Sequence, residues 1–473
     1  MDTQSHLSAR SQLLYKHYDF SVPPGANQVG VVLSYHNDGE AFIIPTIFAP
    51  DGFRGARPNP NGRGDMRLEL ITSPDYASDG MLPGPVLPGE WRVRLDLAYL
   101  EGEMPIRLEA WADFGPVGKG QQAMWPENHV VRSKEGWYRG ELHCHSTESD
   151  GRQPIDVVVE SAEEAGLDFL AVTDHFTTSQ WRHLLGHIDR PMAFLRSLEL
   201  TSHEGHANLH GLRQWVDSAT DLPGWSMNQA AAAARNQGAL FSVNHVFSRI
   251  SNWQALDFDW RQADLLEIYH RSSGATNPTY LPFWDHLLIE GRRVIGVGGT
   301  DGHNISESDQ ALGKLVTWVY ADELSESGIL AGLRRGQVYV SRGAEMRFSA
   351  VNGEGQRAQM WETLPLASPI TLEIAYRSSE PLILFVIRDG FIIEDQLLDA
   401  SPAAFQTVHY YEPQTFAGHL KPGFYRVELH AGARSKTDER SAWRDHTTVR
   451  ALSNPIWVGQ APPQYWKNGN SST

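Results

Sequence analysis

In the segment GELHCHSTESDG, residues 140–151, His143 and His145 stand two apart in an apolar run and are followed by Ser149-Asp150-Gly151. Alternate side chains of a strand share a face, so the two imidazoles point the same way and can hold one ion together, while Cys144 points away. The Ser-Asp-Gly turn returns Asp150 over that same face. Neutral imidazole and carboxylate are donors that borderline and hard divalent cations such as Zn²⁺, Mn²⁺ and Fe²⁺ accept. Cys144, the only cysteine, reads as a small packed hydrophobe rather than a ligand.

The elements that must position these groups repeat along the middle of the chain. PIDVVVESAEEAGLDFLAVTDH predicts a helix opened by Pro154 and closed by Gly166, then an apolar strand stopping at Asp174-His175. SMNQAAAAARNQGALFSVNH predicts the same unit, with Ser226 and Gln229 as a capping box, Gly238 as the stop and Asn244-His245 at the strand end. LPFWDHLLIEGRRVIGVGGTDGH is a third copy, closed by Gly291 and ending at Asp301 and His303. Helices alternating with apolar strands predict βα units with parallel pairing, an α/β fold. Sites in such folds collect at the carboxyl ends of strands. His143, His145, His175, Glu199 (ending FLRSLEL), His245, Asp301 and His303 all fall at such ends, so they are expected to converge as a metal cluster. Asp174 and Asn244, each preceding a histidine, are expected either to orient an imidazole or to cap a turn.

Residues 12–135 and 346–460 have a different texture. Short alternating runs such as NQVGVVLSYHN, EWRVRLDLAYL and ITLEIAYRS, punctuated by proline and glycine, predict antiparallel β-sandwich-like domains on either side of a central 136–345 domain, with a loose tail at 461–473. Composition bounds the partners. Acidic residues number 57 against 40 basic, for a formal net charge of -17, which argues against nucleic acid. No apolar run approaches a membrane span, and the first residues lack a signal-peptide core. With no disulfide framework possible, a cytoplasmic protein is expected. Oligomeric state is not encoded in any pattern found.

In order and spacing, HCHSTESDG, TDH, a glutamate at a strand end, NH and GGTDGH resemble the motifs of the polymerase and histidinol phosphatase (PHP) superfamily across about residues 137–345. The flanks, with YDFSVPPGANQVGVVLSY, PDGFRGARP and GWYRGELHCH, resemble its carbaryl-hydrolase-like (CehA/McbA) branch. The resemblance implies a metal-dependent hydrolase on a distorted (β/α)7 barrel. It makes His143, His145, Glu199 and Asp301 ligands of one ion, whose activated water does the chemistry. Glu199 would bridge to a second ion held by His245 and a histidine of ELTSHEGHANLHGL, where His203, His206 and His210 all stand available and GHAN favours His206. Asp150, His175 and His303 would hold a third. Two or three divalent ions are thus expected, zinc first, manganese or iron otherwise.

The substrate expected is a small-molecule ester. Arg249, His270, Arg271 and Arg342 lie just past strand or turn boundaries, where a guanidinium suits phosphate or carboxylate. Trp253, Trp260, Tyr269 and Tyr280 would instead line an apolar pocket or simply pack. Phosphoester hydrolysis is the leading expectation, carbamate or carboxyl ester hydrolysis the alternative, and a non-catalytic metal-stabilised scaffold the third. GVGGTDG precedes Asp-x-His rather than opening a helix on a dinucleotide fingerprint, and no Gly-x-Ser-x-Gly elbow occurs.

Overall fold

The computed structural model describes residues 1–8, 15–39, 41–58, 63–115, 125–219, 224–249, 251–271, 277–412, 421–432 and 446–459. The tail expected at 461–473 lies outside them. Among the described residues the chain is sheet-rich and multi-domain, with five α-helices against 30 strands. No helix among them is long and apolar enough to cross a membrane.

Alternation builds the first unit. In the strand Gln28–Asn37, Val29, Val31, Leu33 and Tyr35 are buried, and in Gly89–Leu100 so are Trp91, Val93, Leu95 and Leu97. These rows belong to two four-stranded antiparallel sheets that share one core. One sheet includes Asp2–Ser8, paired along Glu103–Asp113, so this sandwich begins ahead of residue 12.

The central region keeps the expected helices. Ile155–Glu164 follows Pro154, Met227–Asn236 starts with Ser226 accepting the Gln229 N–H at 3.3 Å, and Asn277–Ile289 ends before Gly291. The strands depart from uniform βα units. Gly136–Cys144 pairs in parallel with Phe169–Val172 but antiparallel with Val316–Ala321. Ser197–Ser202 and Gly205–His210 form an antiparallel hairpin, followed by Leu240–Val243, Leu265–His270 and Ile295–Gly299 in a five-stranded sheet. Glu199 therefore lies in mid-strand, because Ser202-His203-Glu204 turns the chain straight back.

Two seams join this sheet to the one containing Gly136–Cys144. At one, His175 bridges Glu199, with the Glu199 N–H donating to Thr173 O at 3.1 Å. At the other, Cys144 bridges Gly302, the Asp301 N–H donates to His143 O at 2.8 Å and the His145 N–H to Gly302 O at 3.0 Å. Ile295–Gly299, at the edge of its sheet, has its remaining backbone groups satisfied by side chains. Asn454 brackets Gly296, donating to its O and accepting its N–H, both at 2.8 Å, and Thr317 does the same at Gly298.

The C-terminal strands are not a detached module. Val338–Ser341 pairs with Val449–Ser453, so one 11-stranded sheet runs from Gly136–Cys144 through to Phe391–Leu398. A four-stranded sheet around Glu345–Val351 covers part of it over a common core including Phe348, Ile374, Val386 and Val427. The helix Asn277–Ile289 is tied to this sheet by a fully buried ion network. Arg426 donates to both oxygens of Asp285, at 2.7 and 2.6 Å, and to Glu428 at 2.6 Å. Removing one partner of such a network strands a buried charge. Asp285→Ala is expected to lower unfolding free energy by about 3–5 kcal/mol in chemical denaturation, whereas Asp19→Ala, whose ion pair with Arg92 is exposed, is expected to cost less than about 1 kcal/mol.

Candidate metal centre

Glu199 organises the site. Its Oε2 lies 3.2 Å from His143 Nε2, 3.4 Å from His145 Nε2 and 3.2 Å from His175 Nδ1. Its Oε1 lies 3.0 Å from His245 Nε2 and 3.1 Å from His206 Nδ1, and accepts from Asn244 Nδ2 at 2.9 Å. One carboxylate thus faces two sets of imidazoles. Asp301 Oδ1 closes the first set, 3.3 Å from His143 Nε2 and 3.0 Å from His145 Nε2. Beyond it, Asp150 Oδ2 lies 3.1 Å from His303 Nε2 and 3.6 Å from His175 Nε2.

Three groups consequently have donor atoms within ion-holding range of one another: His143, His145, Glu199 and Asp301; His175, Glu199 and His206; and His145, Asp150, His175 and His303. The chemistry of these sets fits divalent metal. Every member is a nitrogen or carboxylate donor, and His145 Nδ1 is buried without a hydrogen-bond partner among the described residues. Glu199 and Asp301 are held well below the usual carboxylate range: burial opposes their charge, but the surrounding histidines outweigh it. Burial pushes His175 and His206 down to about 4, whereas at His143, His245 and His303 the neighbouring carboxylates outweigh burial and push the imidazoles up.

The histidines of the ELTSHEGHANLHGL segment separate cleanly. His206 reaches Glu199, His203 turns outward to Asp96 at 3.0 Å, and His210 sits 2.9 Å from Ser197 Oγ. Cys144 is buried among Val158, Val159, Leu170 and Val172. Asp174 accepts from Ser146 and Ser149 rather than touching His175, whose Nδ1 is 2.6 Å from Thr201 Oγ1. Asn244 touches Glu199 rather than an imidazole.

The residues expected at the mouth are divided. His270 is buried inside the cluster, its Nε2 3.1 Å from Asp301 Oδ2, and Arg271 donates to that same oxygen at 2.9 Å. Arg249 is exposed and outside the cluster. Arg342 binds the Tyr269 hydroxyl at 2.8 Å, Trp253 and Trp260 pack around Phe258, and Tyr280 is buried in the central core. These aromatics pack rather than line the site.

Glu267 escaped the sequence reading. Its Oε1 lies 2.6 Å from His143 Nδ1 and its Oε2 accepts the His245 N–H at 2.9 Å, fixing the imidazole from behind. A carboxylate in the middle of the otherwise apolar LLEIY was the available signal. Glu141 acts on the backbone, accepting N–H groups of His143 and Thr300. Gly299 explains part of the glycine run: a Cβ there would lie 2.5 Å from both His143 Cβ and Glu267 Oε1. Among the described residues, four of the six non-glycine residues at positive φ, Phe176, His245, Arg271 and Asp301, are in the cluster or adjoin it. Such backbone persists where surrounding structure enforces it, and it concentrates at functional sites.

No family model matches the chain, and no curated protein matches it. Among solved structures it is similar to a two-domain protein from Bacteroides vulgatus containing a "predicted PHP-like metal-dependent phosphoesterase", at 17% identity over 65% of this chain and 95% of that one, with a TM-score of 0.39. It is also similar to PsfC from Pseudomonas syringae, at 17% identity over 39% of this chain and 82% of that one, with a TM-score of 0.31. A GH26-CBM35 β-(1,4)-mannanase from Podospora anserina follows, at 10% identity over 63% and 65%, with a TM-score of 0.14. On its own geometry, the chain is a sheet-rich, multi-domain protein with a buried histidine and carboxylate cluster able to hold metal.

Metal analysis of purified variants tests the cluster. His206→Ala is expected to lose bound metal that His203→Gln retains. Glu267→Gln, which keeps the size but weakens the hold on His143, is expected to reduce metal affinity by about 10–100-fold in competition with a chromophoric chelator.

Proposed function

We propose that this chain is a metal-dependent hydrolase acting on small-molecule phosphoesters. The observation that carries the reading is the division of Glu199 between two histidine sets. A shared carboxylate with imidazoles on either side is the arrangement expected of adjacent ions, and divalent ions bound there would supply an acidified water and polarise the attacked centre. The PHP-like motifs support the same reading, and so do the two seams, which bring the ends of two sheets together at the cluster.

The chain's own groups have definite parts in it. Glu267 holds the His143 ring from its Nδ1 side, Thr201 does so for His175, and Asn244 fixes the Glu199 carboxylate. His143, His145, Glu199 and Asp301 surround the position where a water would be activated. Arg271, already on the rim of Asp301, is placed to meet an anionic oxygen of the substrate. Zinc is the favoured ion on donor type, with manganese or iron as substitutes.

Initial rates of aryl phosphate hydrolysis, measured beside an aryl N-methylcarbamate, test the proposal. Chelation is expected to abolish phosphate release and Zn²⁺ or Mn²⁺ to restore it, with Asp301→Ala folded but inactive. Wild-type turnover by a folded, metal-depleted Asp301→Ala protein would refute the assignment. Faster cleavage of the carbamate would transfer the mechanism to carbamate esters, and no chelator-sensitive turnover of either would favour a metal-stabilised scaffold.

A further inference from the structure

A cavity of about 260 Å³ opens beside the cluster, with His175 and His206 on its floor. Its apolar side comes from Phe176 and from Phe42 and Ala98 of the N-terminal sandwich, which also contributes Asp96, and the polar turns at residues 201–205 and 251–254 line the remainder. Contact there is built in rather than incidental. Phe176, directly after His175 and held at φ 62°, packs with Phe42, Ile44, Ala56 and Ala98. Its carbonyl accepts from Trp215 Nε1 at 2.7 Å, and the Trp215 ring stacks on Phe53 at 4.1 Å. Asp96, only 3% exposed, holds His203.

We propose that the N-terminal sandwich supplies the apolar wall of the specificity pocket for the alcohol-derived part of the ester, and that this part is a compact, single-ring apolar group bearing no negative charge. The inference rests on the hydrolase reading above. Pockets for drug-sized ligands span about 300–1,000 Å³, so this one suits a single ring rather than an extended chain. Phe42, Phe176 and Ala98 offer the ring apolar walls, and the Asp96 carboxylate repels an anionic substituent. The negative end of the substrate is left to the cluster and Arg271.

The test uses the full-length, metal-loaded protein and two independent readouts. Fluorine NMR titration with 4-fluorophenol reports the pocket without chemistry, and steady-state hydrolysis of 4-fluorophenyl phosphate against methyl phosphate reports its use. Phe42→Trp and Ala98→Leu, which fill the cavity from different strands, are expected to weaken 4-fluorophenol binding about tenfold and to raise KM for the aryl ester about tenfold relative to methyl phosphate. Asp96→Asn is expected to lower KM for 4-carboxyphenyl phosphate. Equal 4-fluorophenol affinity in wild type and both filled variants, with the aryl ester still cleaved, would overturn the pocket and leave the hydrolase standing. Binding weakened by both variants, with neither phosphate ester cleaved by any of the proteins, would uphold the pocket and overturn the phosphoesterase.

Discussion

The hydrogen bonds that join the two central sheets run through the backbone of the same residues whose side chains form the cluster. Asp301 and His145 donate across one seam, and Glu199 donates across the other. Each side chain is therefore aimed by a peptide unit that is itself part of the structural closure, so the site has little freedom to open without parting the sheets. Buried carboxylates are costly unless a counter-charge compensates them. Here Glu199, Asp301 and Asp150 sit among histidines, an arrangement that suits a cation and offers nothing to an apolar ligand.

Much of the centre was legible because it depends on local periodicity. The two-residue spacing of His143 and His145, and the polar residues at the ends of apolar runs, are enough to draw seven residues together. What stayed hidden depends on long-range geometry. Glu199 looked like a strand end because the reversal at residues 202–204 lacks a strong turn dipeptide, its glycine coming only at residue 205. His270 looked like a rim residue, yet the bulge between Glu267 and Tyr269 lets the strand carry it inward to Asp301. Arg249 had charge and position in its favour, but its loop leaves it exposed. The uniform βα expectation failed where the Ser197–Ser202 hairpin and Val316–Ala321 introduce antiparallel pairing, since periodicity reports burial and not strand direction.

The two outer β-regions engage the centre in different ways. The first leans on the cluster side, where Phe176 and Trp215 reach into it and Asp96 draws His203 away from the metal-binding set. The last works from behind, with Asn454 completing the backbone of the strand that leads to Asp301 and Arg426 holding the helix that follows His270. Neither contribution is visible in composition, because both consist of a few side chains crossing between units that each alternate normally on their own.

Asn454 also bears on the order in which the molecule can be made. Synthesis proceeds from the amino end, and domains commonly fold as units while the chain is still emerging. Here the strand leading to Asp301 waits for a side chain translated 158 residues after Gly296, and Val338–Ser341 waits for Val449–Ser453. Until those arrive, the edge of Ile295–Gly299 stays unpaired at Gly296, the kind of surface that invites mispairing. Maturation of the centre is thus coupled to synthesis of the strand Val449–Ser453 and Asn454, and a nascent chain stalled before them would carry all of its candidate ligands with the frame that aligns them still unfinished.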